Sequence, residues 1–194
     1  MPRLSRAAQV ARDQVFNELK NDHKRVKKAY KDFEKLDKSD SEACRRIVEQ
    51  VLLELSVHAS LEEELLYPPA RAALKETDLV DEAEVEHESA HQLIDQLRTM
   101  SPDDDKYAAR FTVLCEYVLH HVKEEEGEFF PALENVRMEW EKIAADMSAR
   151  RQELLANESD DAPAIVGEPE LIAGDDRLPA NGVADSGAAS PRKI

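Results

Sequence analysis

Four stretches of this chain place apolar residues at alternating spacings of three and four, the repeat of a helix buried on one face. No segment shows the sustained alternation that would call for a strand. The first stretch carries Phe16, Leu19, His23, Val26, Tyr30 and Phe33. The second follows the cap-like run Ser39, Asp40, Ser41, carries Ile47, Val51, Leu55, His58, Glu62 and Leu65, and stops at Pro68 and Pro69. The third starts near Thr77 and Asp78 and carries Val80, Glu84, His87, His91, Ile94 and Leu97, ending before Ser101 and Pro102. The fourth opens among Asp103, Asp104 and Asp105, where acids suit a helix N-terminus, and carries Phe111, Leu114, Val118, His121, Glu125 and Phe129. The joints are short, so neighbours pack antiparallel. The prediction is an all-α fold, an up-down-up-down four-helix bundle over residues 1–136.

Residues 137–156 keep the helical period through Trp140, Ile143, Met147 and Leu154. They either prolong the fourth helix across a kink at Pro131 or form a fifth helix packed outside the bundle. Residues 157–194 are rich in Ala, Asp, Gly and Pro without any period, the composition of a disordered acidic tail.

Charge narrows the function classes. The formal net charge of -16 repels phosphate backbones, so nucleic acid is excluded as an expected partner. No apolar run is long enough to span a bilayer and the first residues hold no apolar export segment, so a cytoplasmic protein is expected. Cys44 and Cys115 stand apart from each other and from any CxxC spacing, and read as small apolar core residues.

The apolar stripes are interrupted by a histidine in every helix, and by a glutamate as well in the second and fourth. A lone inward histidine is ordinary; an inward carboxylate without a cation costs several kcal/mol, on the order of a broken buried ion pair. The stripes contain no arginine to meet those carboxylates, so a cation belongs among them. His58 and Glu62, His87 and His91, and His121 and Glu125 are each four apart, which puts both side chains of a pair on one face about a turn apart. With His23, these give five imidazoles and two carboxylates directed at the bundle interior.

Imidazole and carboxylate without thiolate suit iron, manganese or zinc; a structural zinc site closes with about four ligands, so seven are too many for one ion. Two roughly octahedral metals offer about twelve positions, of which five histidines, two bridging glutamates and an oxo or hydroxo bridge fill all but about one. The vacancy suits a small oxygen or nitrogen ligand. An internal echo places it: His23 and His87 are 64 residues apart and His58 and His121 are 63 apart, but His91 corresponds to Lys27. The half built on His23 and His58 therefore has one nitrogen fewer.

The stretches DHKRVKKAYKDFEK, HASLEEELLYP, EHESAH and HHVKEEEGEFFP, in this order and with this proline placement, resemble the hemerythrin and HHE cation-binding domain family over residues 15–135. That resemblance implies His23, His58, His87, His91 and His121 as terminal ligands of two iron ions, with Glu62 and Glu125 bridging. Manganese or a mixed pair fits the same donors. The oxygen-carrying members of the family place an aspartate five residues after the last histidine, whereas here Glu125 follows His121 at four, the form typical of bacterial HHE proteins. The expected function is a non-haem di-iron protein that binds or reacts with dioxygen, peroxide or nitric oxide, as a sensor, scavenger or binding module. The alternative is a metal-responsive interaction scaffold without turnover, signalling to a protein partner through the C-terminal helix or tail.

Overall fold

The computed structural model of the protein describes residues 4–161, and every regular element among them is helical. Helix α1 (Arg6–Glu34) starts where the Ser5 hydroxyl accepts a hydrogen bond from the Ala8 N–H at 3.0 Å. Helix α2 (Ser41–Leu61) starts in the same way, with the Asp40 carboxylate accepting from the Ala43 N–H at 2.9 Å. A π turn, Glu62–Leu66, joins α2 to α3 (Tyr67–Ala73). Helices α4 (Asp78–Thr99) and α5 (Tyr107–Glu124) form the second hairpin, and a second π turn, Glu125–Phe129, leads into α6 (Phe130–Leu133). The described chain closes with α7 (Trp140–Asp161).

Four departures from the sequence reading have physical causes. The second helical run does not stop at Pro68. In the π turn the Tyr67 N–H reaches back to the Glu62 carbonyl, so Pro68 falls in the opening turn of α3, where its missing N–H is no loss. Pro131 is accommodated identically, with the Phe130 N–H on the Glu125 carbonyl. Helix α5 starts at Tyr107 rather than among the three aspartates, because the Asp104 carboxylate holds a turn by accepting from the Lys106 N–H at 2.8 Å. The segment after Pro131 is a separate fifth helix, and it belongs to the core rather than lying outside it. Trp140 is fully buried, stands edge-on to Phe16 with ring centroids 5.5 Å apart, and donates Nε1–H to the Val136 carbonyl at 3.0 Å. Finally, α7 runs to Asp161, past residue 157 where a tail is expected; the rest of that expected tail, residues 162–194, lies outside the described residues.

The buried apolar residues form two clusters. One joins Val15, Phe16, Leu19, Leu61, Leu66, Phe129, Phe130, Trp140 and Met147; the other joins Val26, Phe33, Val48, Val51, Leu55, Ile94, Phe111, Leu114 and Val118. His23 lies between Leu19 and Val26 on α1, and His58 between Leu55 and Leu61 on α2. The polar residues thus form a layer sandwiched between two hydrophobic clusters. Cys44 and Cys115 are buried free thiols, as expected of core residues. Among the described residues no helix is long and apolar enough to cross a membrane.

Candidate metal centre

Six of the seven side chains singled out from the sequence are buried in this layer: His23, His58, Glu62, His87, His121 and Glu125. They form two groups of converging ligand atoms, His23 with His58 and Glu125, and His87 with His121 and Glu62. Within the groups Nε2 faces Nε2, at 3.3 Å for His23 and His58 and 3.2 Å for His87 and His121. Each glutamate touches both groups. Glu62 Oε2 is 3.1 Å from His58 Nε2 and 3.5 Å from His87 Nε2. Glu125 Oε2 is 3.1 Å from His23 Nε2 and 3.9 Å from His121 Nε2. In each carboxylate the same oxygen, Oε2, approaches a histidine of both groups, so each glutamate could contact a cation held by either. The π turns put these two residues there, since each glutamate opens its turn and the widened helix swings its side chain to the bundle axis.

The outward nitrogens of the four rings are held just as regularly. Nδ1 of His23 pairs with Glu126 at 2.8 Å, and Nδ1 of His87 with Glu63 at 2.8 Å. Nδ1 of His58 pairs with Asp22 at 3.2 Å, and Nδ1 of His121 with Glu86 at 2.7 Å. A carboxylate at Nδ1 draws the ring proton to that side and leaves the Nε2 lone pair directed at a cation. The echo seen in the ligands therefore extends to their supports: Asp22 and Glu86 each precede a histidine by one, and Glu63 and Glu126 each follow a glutamate by one. None of these four carboxylates interrupts an apolar stripe, so none is among the ligands expected from the sequence. Their adjacency to the ligands in both halves is the signal that marks them.

His91 is placed differently. Its side chain is 41% exposed, and its Nε2 lies 2.8 Å from Glu63 Oε1, outside both groups. Lys27, its counterpart, is exposed. His120 is exposed and meets Glu86 and Glu124 in a third, surface group. Tyr67, also unremarked in the sequence, is buried with its hydroxyl 3.1 Å from His87 Nε2 and 3.3 Å from Glu62 Oε2.

Electrostatics give the fit test for a cation. Glu62 Oε1 and both carboxylate oxygens of Glu125 are buried without a hydrogen-bond partner, a costly arrangement for a carboxylate pair. Burial, reinforced by the Glu62 charge, pushes the Glu125 carboxyl well above its usual range. Burial opposes ionisation of Glu62 too, but His58, the neighbouring Glu125 carboxyl and the charge of His87 together outweigh it and hold that carboxyl well below its usual range. Burial lowers His23 to about 4, helped by repulsion from His58. His58 is raised to about 9, because the carboxylates of Glu62 and Asp22 overcome its burial. Imidazole and carboxylate lone pairs thus converge where buried negative charge favours a cation. The donor set is hard-to-borderline nitrogen and oxygen with no thiolate, which fits first-row cations such as iron, manganese or zinc.

Residues 14–133 match the hemerythrin HHE cation-binding domain. The chain belongs to the hemerythrin HHE family. A curated relative, a DNA nickase of Nostoc sp. (strain PCC 7120 / SAG 25.82 / UTEX 2576), is 28% identical over 117 residues, which are 60% of this chain but only 32% of the nickase. The chain thus spans about a third of that relative's length. The crystal structure of a hemerythrin HHE cation binding domain-containing protein from Mycobacterium kansasii superposes with a TM-score of 0.61 at 23% identity, covering 73% of this chain and 87% of that one. This likeness shows the fold: a hemerythrin-like helical bundle. The family is one of cation-binding domains, and the buried layer holds two groups of side chains that could take a metal ion.

Proposed function

We propose that this HHE protein is a non-haem di-iron protein that binds or reacts with dioxygen, peroxide or nitric oxide. The observation that carries the reading is the pair of buried glutamates with three unpartnered oxygens, each facing one histidine from either half. His23, His58 and Glu125 would hold one ion, and His87, His121 and Glu62 the other, each glutamate lending its second contact across the pair. A bound iron pair supplies redox electrons and a coordination position; manganese or a mixed pair meets the same donors.

The chain's own residues supply the rest. The four Nδ1 carboxylates fix ring orientation and tautomer. A cavity of about 30 Å³ adjoins the histidines, walled by Val26, Leu55, Ile94, Val118 and Val122, so it admits a molecule of water or diatomic size and little more. Tyr67 offers a hydroxyl hydrogen at the site, and burial together with the Glu62 charge keeps that hydroxyl protonated well beyond its usual range. It acts as a hydrogen-bond donor to an anionic oxygen, not as a base. Peroxide decomposition, two hydrogen peroxide molecules giving two waters and one dioxygen, is the reaction these features favour. DNA nicking does not transfer from the Nostoc relative, because the net charge of -16 opposes duplex binding.

The test is metal content per chain after expression in iron-replete cells without affinity-tag metals, followed by peroxide addition. Two irons and sustained oxygen evolution support a scavenging enzyme. Two irons with only a stoichiometric adduct point to the sensing or binding form of the same reading. A scatter of zinc and nickel below one equivalent overturns the di-iron reading.

A further inference from the structure

The supports of the two halves differ most behind His58 and His121. Glu86, behind His121, is partly exposed and faces the surface residue His120. Asp22, behind His58, is 2% exposed and is gripped by two guanidinium groups. Arg25, one turn along α1, reaches Asp22 Oδ1. The second guanidinium comes from α7: Arg151 places Nη1 3.2 Å from Oδ1 and Nη2 2.7 Å from Oδ2, a two-pronged grip on the carboxylate. Asp22 Oδ2 is the same oxygen that receives His58 Nδ1–H. One unbroken chain of contacts therefore runs from α7 through Arg151 and Asp22 to His58, whose Nε2 faces the centre.

The family match ends at residue 133, and α7 lies wholly beyond it. The grip thus comes from outside the matched segment. Its chemistry is specific. A planar guanidinium matches a carboxylate in two parallel hydrogen bonds, and it fixes the carboxylate plane as well as its charge. A fixed Asp22 plane fixes the His58 ring that hangs from it. Arg150, the preceding residue, provides a contrast on the same helix: it pairs with the exposed Glu64 at 2.8 Å and touches no residue of the centre.

We infer that Arg151 is a positioning residue of the metal centre, so that docking of α7 and loading of the His23 and His58 half reinforce each other. This rests on the cation-binding reading proposed above. Whatever biases α7, including a partner seated on it, then biases metal retention, and metal loading tightens α7 by the same factor, because coupling between two equilibria is reciprocal.

Cobalt(II), titrated into metal-free full-length protein and followed by visible absorption, reads the two halves as two equivalents. Arg151→Gln is expected to weaken one equivalent by about tenfold or more and spare the other, the usual size of a lost support behind a ligand. Arg150→Gln is expected to leave both unchanged, and Arg151→Lys, which keeps the charge without the fork, to fall between. Hydrogen exchange of the α7 amides in the unmutated protein is expected to slow on cobalt loading, a measurement that stands even if a variant folds poorly. Cobalt binding by Arg151→Gln equal to that of the unmutated protein, or α7 exchange indifferent to cobalt, overturns this inference and leaves the metal reading intact. An unmutated protein that takes up no cobalt overturns the metal reading and this inference with it.

Discussion

The Tyr67 hydroxyl lies 3.1 Å from His87 Nε2, while the equivalent position in the other half, 63 residues on, is Phe130, whose ring stacks near His23 with centroids 6.3 Å apart. The centre is thus built symmetrically in its ligands and their supporting carboxylates, and asymmetrically in its hydrogen-bond donors. Tyr67→Phe copies the second half onto the first. The variant loses one hydroxyl with two neutral-range contacts, a cost of about 1 kcal/mol in stability. Metal stoichiometry is expected to be unchanged, while peroxide consumption in stopped-flow slows by about a hundredfold, the scale of a lost hydrogen-bond donor to a developing anionic oxygen. Unchanged kinetics would reduce Tyr67 to packing.

Metal removal should be felt throughout the bundle. Glu62 and Glu125 sit at the centre of the fold between two apolar clusters, and without a cation their unpartnered oxygens oppose folding. A cation held only by the native state stabilises it by about 2.7 kcal/mol at a hundred times its dissociation constant. For a chain of this size that corresponds to about 5–10 °C in Tm. Calorimetry before and after chelation checks the value. A Tm that ignores chelation would mean that the buried carboxylates are neutralised in some other way.

The metal-free protein should be most stable near pH 6.5. His58 is raised from its usual 6.5 to about 9, so its contribution is complete below 6.5 and is lost as pH climbs through 9. His23 is lowered from 6.5 to about 4, so its contribution is present above 6.5 and is lost as pH falls through 4. Glu125, raised, contributes stability that is whole below 4.5 and is lost as pH climbs above it, so it deepens the alkaline fall and blunts the rise from 4.5 toward 6.5. Asp22, lowered by His58 and Arg151 against the pull of burial, adds to the acid loss below 3.8. Urea midpoints across this span should trace a dome. A monotonic trend would show that the two histidines do not oppose each other. At neutral pH, cation loading should also release protons, since His58 must surrender its own before Nε2 can bind.

The bundle was legible because its helices repeat apolar residues at three and four, and the ligands were legible because they interrupt those same stripes. The supports were not. Asp22, Glu63, Glu86 and Glu126 are ordinary surface letters next to a ligand, and only the three-dimensional pairing across helices gives each a ring nitrogen to hold. The prolines misled for a local reason: Pro68 and Pro131 end an α-helix in isolation, but a π turn five residues long resets the hydrogen-bond register ahead of each. The periodic stretch around Trp140 left open whether it prolongs the fourth helix or packs outside the bundle, because Phe16, against which Trp140 packs, stands more than a hundred positions away. Tyr67 shared a recognised stretch with Glu62, but nothing in one chain says that a tyrosine after a π turn points inward.

Position 27 offers the sharpest test of the asymmetry between the halves. His91 and Glu63 sit in contact at 2.8 Å, and the echo of that pair is Lys27 with Glu126. Glu126 already supports His23, as Glu63 supports His87, so an imidazole at position 27 would find an equivalent carboxylate neighbour. Lys27→His therefore gives the His23 half a counterpart of His91, which stands outside both donor groups, so the variant tests whether such an imidazole turns in to a bound ion; position 27 is exposed enough to accept the change without repacking. If the missing nitrogen is what leaves room for a small ligand, the variant should keep two metals and lose most of its reaction with peroxide or nitric oxide. Metal analysis and adduct spectra on the same sample separate the two effects. Full reactivity with two metals bound would locate the open position elsewhere, at the half that His91 overlooks.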